Sequence, residues 1–306
     1  MKRKLGWLAA VLVLVMMLGS CRKIEDASSM ESHSESRKQQ SSTAAVSSEQ
    51  TPSSDVDSEE SSNAESEEAV MNPDYTDIAK LDNKKNGWGQ GTQVDEQNRP
   101  VSCTSYQKKY GKYGAVFIKE DNRDFYLTFD EGYENGFTAK ILDVLKEKNV
   151  PAVFFVTQDY VKKNADLVKR MIAEGHVVGN HSWTHPSMPT LSPEQAAQEI
   201  TKLHDYVKEQ FGYEMTLFRP PMGEYSEQTL ALAQQLGYQS VFWSYAYKDW
   251  DPKNQPEEAA SLEKALKYAH GGAVYLLHAV SETNTNMLGA FIDGIREKGY
   301  TFKALQ

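Results

Sequence analysis

Asp130, Glu131, His181, His185, Arg219, Asp249 and His278 are side chains of the kinds that carry out hydrolysis. His181 and His185 stand at i and i+4. That spacing lets two imidazoles on one loop or helical turn bind a single metal ion, with a carboxylate completing the face. Three protein ligands leave positions open for water and substrate, the arrangement that lowers a water pKa and polarises a carbonyl. A second carboxylate, left unligated, can serve as general base, and a histidine on the opposite side can protonate a leaving amine. Arg219 and Asp249 are suited to holding that base and acid in their working protonation states. The chemistry these groups suit together is hydrolysis of an amide or an ester.

The elements that must position them are legible as an alternation. Phe125–Phe129 reads as a buried strand, and residues 137–148 place Phe137, Ile141, Leu142 and Leu145 on one helical face. Ala152–Val156 is a second strand entered by Pro151, followed by a helix over 160–174 that Gly175 caps. A third strand spans His176–Asn180. Ser192 and Pro193 then open a helix that runs to about Phe211. Strands at about 215–218, 239–244, 273–277 and 300–305 alternate with helices at about 226–236, 258–269 and 284–298. Strand–helix alternation predicts a parallel sheet, either open and doubly wound or closed as a (β/α) barrel, with chemistry at the carboxyl ends of strands. The hydrolytic residues follow strand after strand, so one rim collects them. His33, His204 and His270 fall in the serine- and acid-rich segment 22–74 or on helix and turn positions and receive no role. His176 starts a strand and reads as a packing or hydrogen-bonding residue, and Cys103 as a semi-buried thiol.

Charge divides the chain of 306 residues unevenly. The net charge is −10, but residues 1–21 carry +3, residues 22–70 carry −8, and residues 71–306 carry −5. A cationic nucleic-acid binder is excluded, because phosphate neutralisation needs a basic surface. Only Cys21 and Cys103 are present, which excludes a disulfide framework and a four-cysteine zinc site. Lys2, Arg3 and Lys4 precede an apolar run from Leu5 to Leu18, short for a membrane span and suited to a signal peptide. Leu18-Gly19-Ser20-Cys21 resembles a bacterial lipobox, which implies cleavage before Cys21 and lipidation of its thiol; the alternative is an uncleaved single-span anchor. Both place the remainder outside the cytoplasm, lipid-anchored to the outer membrane face in the first case. Residues 22–74, rich in serine and acid, read as a disordered tether, since they hold too little apolar surface to offset their ordering entropy. The folded domain is expected over 75–306, with its core from about 120.

Five blocks, Thr128-Phe-Asp-Glu-Gly132, His181-Ser-Trp-Thr-His185, Arg219-Pro-Pro-Met-Gly223, Asp249-Trp250 and Leu276-Leu277-His278-Ala279, occur in an order that resembles the polysaccharide deacetylases of the NodB-homology type. Gly132-Tyr-Glu-Asn-Gly136, Asn180 through Pro186, Val241-Phe-Trp-Ser244 and Trp88-Gly89 look like the muramic delta-lactam branch of that family. The likeness covers about 85–306 and implies a distorted (β/α) barrel. It implies removal of N-acetyl groups from N-acetylmuramic acid in peptidoglycan, releasing acetate and making spore-cortex muramic delta-lactam possible.

Carried over residue by residue, the resemblance makes Asp130 the catalytic base and Arg219 the residue that orients it. His278 becomes the acid and Asp249 the carboxylate that tunes it. The backbone N–H of Met222 becomes an oxyanion donor, where the family usually has an aromatic residue and a backbone role tolerates Met. His181 and His185 become ligands of a divalent metal, zinc first, with Glu131 at the place of the family's metal-binding Asp. Ala246 stands where the family's fourth block usually opens with Asp, which fits the lactam branch. The implied partners are peptidoglycan glycan strands and, through the lipid anchor, the membrane; a monomer is expected. Two other readings remain: the same chemistry on N-acetylglucosamine in peptidoglycan or on another acetylated glycan, and a non-catalytic wall-binding lipoprotein.

Overall fold

The structure is a computed structural model and describes residues 74–120 and 122–305. The signal segment, Cys21 and nearly all of the expected tether lie outside the described residues. The first described elements are the short helix α1 (Thr76–Ala79), strand β1 (Asn86–Gly87) and helix α2 (Val101–Tyr110). The alternating part follows as β2 (Asp124–Glu131), α3 (Thr138–Glu147), β3 (Ala152–Val156), α4 (Gln158–Lys163), α5 (Ala165–Ala173) and β4 (Val177–Asn180). It continues through α6 (Pro193–Phe211), β5 (Leu217–Phe218), β6 (Glu224–Tyr225), α7 (Glu227–Gln235) and β7 (Gln239–Ser240). α8 (Glu258–Lys267), β8 (Ala273–His278), α9 (Glu282–Glu297) and β9 (Thr301–Phe302) complete the chain. No helix among the described residues is long and apolar enough to cross a membrane.

The main sheet is parallel, in the order β7-β5-β4-β3-β2-β8, with β9 also pairing β2. It curls until its two ends meet. Beyond β7, Ser244 N–H donates to the Val274 carbonyl at 2.8 Å and Leu276 N–H donates to the Tyr245 carbonyl at 2.9 Å. An isolated parallel bridge, Tyr245 to Tyr275, therefore joins the last strand to β8. The result is the distorted barrel.

Strand parity then decides which side chains can reach the site. Successive strand residues point to opposite faces. On β2, Phe125, Leu127 and Phe129 enter the core beneath the helices, while Tyr126 joins the barrel interior with Val153, Phe155 and Val274. Continuing that alternation puts Thr128 and Asp130 inside and Glu131 outside. On β8, Tyr275 and Leu277 face the helices, so Val274, Leu276 and His278 form the inner column. Asp130 and His278 are register partners on neighbouring strands and share the inner face.

Helix termini follow local chemistry. Ser192 caps α6 in a reciprocal arrangement with Gln195, and Ser226 does the same for α7 with Thr229. The helix expected over 160–174 is two helices. Asn164, with φ −130° and ψ 40°, turns its side-chain amide back to the Tyr160 carbonyl at 3.1 Å and breaks the ladder, as short polar side chains can.

The segment before β2 has no counterpart in the alternating pattern. It wraps one wall of the barrel mouth and builds its own aromatic core, in which Trp88, Tyr110, Phe117, Tyr225 and Phe242 pack together and Cys103 is fully buried. Phe117 and Phe242 stack at 4.3 Å between centroids, and β1 pairs antiparallel with β6.

Candidate active site

Arg219 is the largest fully buried side chain and organises the base. Its Nη1 donates to Asp130 Oδ1 at 2.6 Å, its Nη2 to Thr128 Oγ1 at 2.9 Å, and its Nε to the Val241 carbonyl at 3.1 Å. The guanidinium lies 4.1 Å from the Phe155 ring centroid, which supports its other face. Burial by itself raises the Asp130 pKa. The Arg219 guanidinium, with the imidazoles of His181 and His278 beside it, outweighs that effect and holds the carboxyl below its ordinary value. Asp130 is therefore an ionised carboxylate at neutral pH.

The acid is built with the opposite bias. Asp249 is fully buried; its Oδ1 meets His278 Nδ1 at 2.7 Å and its Oδ2 accepts the His278 backbone N–H at 2.9 Å. Asn284 Nδ2 donates to the same Oδ2 at 2.6 Å, and the Tyr247 hydroxyl donates to Asn284 Oδ1. Burial pushes the His278 imidazole down, but the charge and hydrogen bond of Asp249 raise its pKa above the ordinary histidine value. With Nδ1 held by Asp249, Nε2 is the nitrogen left to face the cleft.

His181 and His185 come together, with their Nε2 atoms 3.1 Å apart. His181 Nδ1 donates to the Arg219 carbonyl at 2.8 Å, which directs its Nε2 lone pair outward, and Asp130 Oδ2 lies 3.5 Å from that Nε2. Burial pushes the His181 pKa down to about 4 and lowers that of His185, so both imidazoles are neutral at pH 7, the state in which histidine ligates metals.

The carboxylate expected to complete this pair does not join it. Glu131 lies on the helix-facing side of β2 and is fully buried, 3.4 Å from Thr138 Oγ1, with no hydrogen-bond partner for Oε2. Burial and the nearby Glu134 raise its pKa well above the ordinary carboxyl value. Among the described residues no three His, Cys, Asp or Glu side chains form a metal-holding group. The two imidazoles fit a divalent ion; the three-ligand set with Glu131 does not. At the end of β2 the inner face goes to Asp130, and the Glu131 side chain turns to the helix side, where it is buried against Thr138.

All of the other expected groups converge on one cleft of about 750 Å³, whose walls include Asp130, His181, His185, Met222 and His278, with Arg219 and Asp249 directly behind them. A larger depression of about 840 Å³, bordered by Tyr75, Glu194 and Leu236, lies elsewhere and holds no histidine. Met222 takes a left-handed backbone, φ 58°, as do Ser182 at φ 68° and His185 at φ 60°. Non-glycine residues rarely adopt this region, and such strain gathers at functional sites. Gly223, at φ 67°, lets the chain pass the Trp243 ring, where a Cβ would lie 2.7 Å from a ring carbon.

Several participants have no conspicuous sequence signal. Thr128 carries no charge, Asn284 sits inside a helix, and Gln90 belongs to the segment before β2. Gln90 donates to the Ala246 carbonyl at 2.9 Å and accepts from Trp243 Nε1 at 3.1 Å. Of the residues set aside, His33 lies outside the described residues, His176 Nδ1 accepts from Ala152 N–H, and His270 bonds Ser244. Burial pushes the Cys103 thiol up to about 12, so it is inert.

The polysaccharide deacetylase family model matches residues 118–241. The peptidoglycan-N-acetylmuramic acid deacetylase PdaA of Bacillus subtilis is 40% identical over 225 residues, 73% of this chain and 85% of that protein. The solved structure of Bacillus subtilis PdaA, a family 4 carbohydrate esterase, matches with a TM-score of 0.69 and covers 73% of this chain and 96% of that one. A family 4 carbohydrate esterase from Bacillus anthracis is 41% identical with a TM-score of 0.61, covering 73% and 95%. Identity at this level across most of both chains makes this protein a member of the polysaccharide deacetylase family.

Proposed function

We propose that this protein hydrolyses the acetamide of N-acetylmuramic acid in peptidoglycan, releasing acetate and leaving an amine beside the lactyl group, from which a muramic delta-lactam can close. The observation that carries the chemistry is the pair of opposed settings in one cleft: Arg219 beside Asp130 favours its carboxylate, and Asp249 on His278 Nδ1 favours its protonated form. The muramic substrate is supported by the lactam-branch sequence blocks and by the relative of that activity.

Asp130 takes a proton from water as the water oxygen attacks the acetyl carbon. The Met222 N–H donates to the oxygen that gains charge, and no acceptor for it is recorded among the described residues. His278 Nε2 then gives its proton to the glycan nitrogen as the carbon–nitrogen bond breaks, so acetate and a free amine leave. His181 and His185 are the donors the chain offers a divalent ion, and zinc is the first choice for paired imidazoles. When bound, such an ion supplies Lewis-acid polarisation of the acetyl carbonyl.

Peptidoglycan as substrate places the folded unit outside the cytoplasm, and a lipid at Cys21 would tether it to the outer membrane face. The function is tested by acetate release from peptide-stripped glycan strands. Wild type is expected to release acetate, with loss of activity in Asp130→Asn and His278→Ala. Full activity in Asp130→Asn would sink the assigned base.

A further inference from the structure

Among the described residues that line the cleft, Lys248 is the only lysine or arginine, since Arg219 is buried behind Asp130. Its ammonium lies over the face of Trp250, 5.4 Å from the ring centroid, and pairs with no carboxylate among the described residues. A lysine without an acidic partner in a cleft that handles a neutral acetamide has no task in the chemistry described above.

Its backbone is nevertheless firmly placed. Tyr247, just before it, is tied through its hydroxyl to Asn284, and Asp249, just after it, is tied to His278 by two hydrogen bonds. Ala246 is held by Gln90. Lys248 thus belongs to a rim segment tied on both sides of it, one residue away from the carboxylate that tunes the acid. The indole of Trp250, 53% exposed, limits where it can swing.

N-acetylmuramic acid differs from N-acetylglucosamine by a lactyl ether on O3, next to the carbon that bears the acetamide. Once the stem peptide has been removed, that lactyl group ends in a free carboxylate. A substrate whose acetamide lies between Asp130 and His278 carries this anion only a few bonds from the reacting carbon. We propose that Lys248 reads the lactyl carboxylate and so makes the cleft select peptide-free muramic acid over both N-acetylglucosamine and peptide-bearing muramic acid. This inference rests on the muramic reading above and deepens it.

The contact is made alike in ground and transition states, so its loss should appear in KM and leave kcat nearly unchanged. Initial rates are measured for the full chain and for Lys248→Gln and Lys248→Arg. The substrates are glycan strands with free lactyl carboxylate, the same strands with the carboxylate converted to methylamide, and an N-acetylglucosamine oligomer. Wild type is expected to favour the free carboxylate over the methylamide by about tenfold in kcat/KM, the worth of one charge-assisted contact. Lys248→Gln should erase that preference through KM, with kcat within about twofold, and Lys248→Arg should keep most of it. Wild-type KM on the carboxylate strands should also rise with salt, and that of Lys248→Gln should not. A wild type that prefers the carboxylate while Lys248→Gln prefers it equally would overturn the role of Lys248 and leave the muramic reading standing. A wild type indifferent to carboxylate against methylamide would also overturn it. A wild type that acts on the N-acetylglucosamine oligomer and on neither muramic substrate would overturn the substrate reading itself.

Discussion

Asp130 and His278 line one cleft, yet their surroundings push their titrations in opposite directions, and that separation makes a base and an acid available at the same pH. The His278 side has the clearer test. The protonated imidazole is the working form, and the Asp249 carboxylate raises its pKa. Asp249→Asn removes that charge, so the alkaline limb of the kcat/KM profile should move to lower pH, with kcat/KM at pH 8 falling more than at pH 6. A profile that keeps its limb while losing height would assign Asp249 to geometry alone.

Glu131 gives a second test at this scale. Its folded pKa is raised, so its contribution to stability is fully present below the unfolded carboxyl pKa and is lost as pH rises through and beyond that value. Glu131→Gln mimics the protonated form. The variant should therefore gain in Tm over wild type as pH is raised from 5 to 8, and its bound-metal content should match that of wild type. A lower metal stoichiometry would return Glu131 to the ligand set. Asp130, His181, His185, Arg219, Asp249 and His278, which the structure gathers at one cleft, were legible as a group from residue type and spacing. The turn of Glu131 toward the helices was not legible, since the resemblance sets a metal-binding Asp at that position beside the base. Asn284 and Thr128 were not, since one is an uncharged residue in a polar first helical turn and the other an uncharged residue in an apolar strand.

At the scale of elements, the site depends on how strand ends turn. Register pairing of Asp130 with His278 fixes the base and acid at one level, and left-handed residues at 182, 185 and 222 turn the chain just beyond β4 and β5. Gly223→Ala should be costly on two counts, a positive φ and a Cβ driven against Trp243. A loss of about 2 kcal/mol in stability is expected, with kcat reduced because Met222 shares the turn. Chemical denaturation together with steady-state kinetics checks both; an unchanged midpoint and kcat would show that the turn relaxes freely. The alternation of strands and helices from β2 onward was plain in the sequence because apolar periodicity changes sharply between them. The break at Asn164 and the antiparallel β1–β6 pair escaped, since each rests on one side chain or on two residues of backbone.

For the whole molecule, the barrel is only part of the catalytic body. Residues 86–120 supply Trp88 and Gln90 to the cleft wall and share an aromatic core with the barrel, so a fragment beginning at 120 should unfold or lose activity, whereas one beginning at 74 should keep kcat/KM on soluble strands within about twofold of the full chain. Nothing in the periodicity of 75–120 announced that wall. Its energetics come from rings brought together by distant strands, a tertiary cause that a local pattern does not carry.

The measurement closest to the central claim is mass spectrometry of muramidase fragments from peptide-stripped peptidoglycan after incubation with wild type and with Asp130→Asn. The expected result is loss of one acetyl group from the muramic residues, with the glucosamine residues intact, under wild type only. Acetyl loss from glucosamine alone, or equal loss from muramic residues under Asp130→Asn, would contradict it.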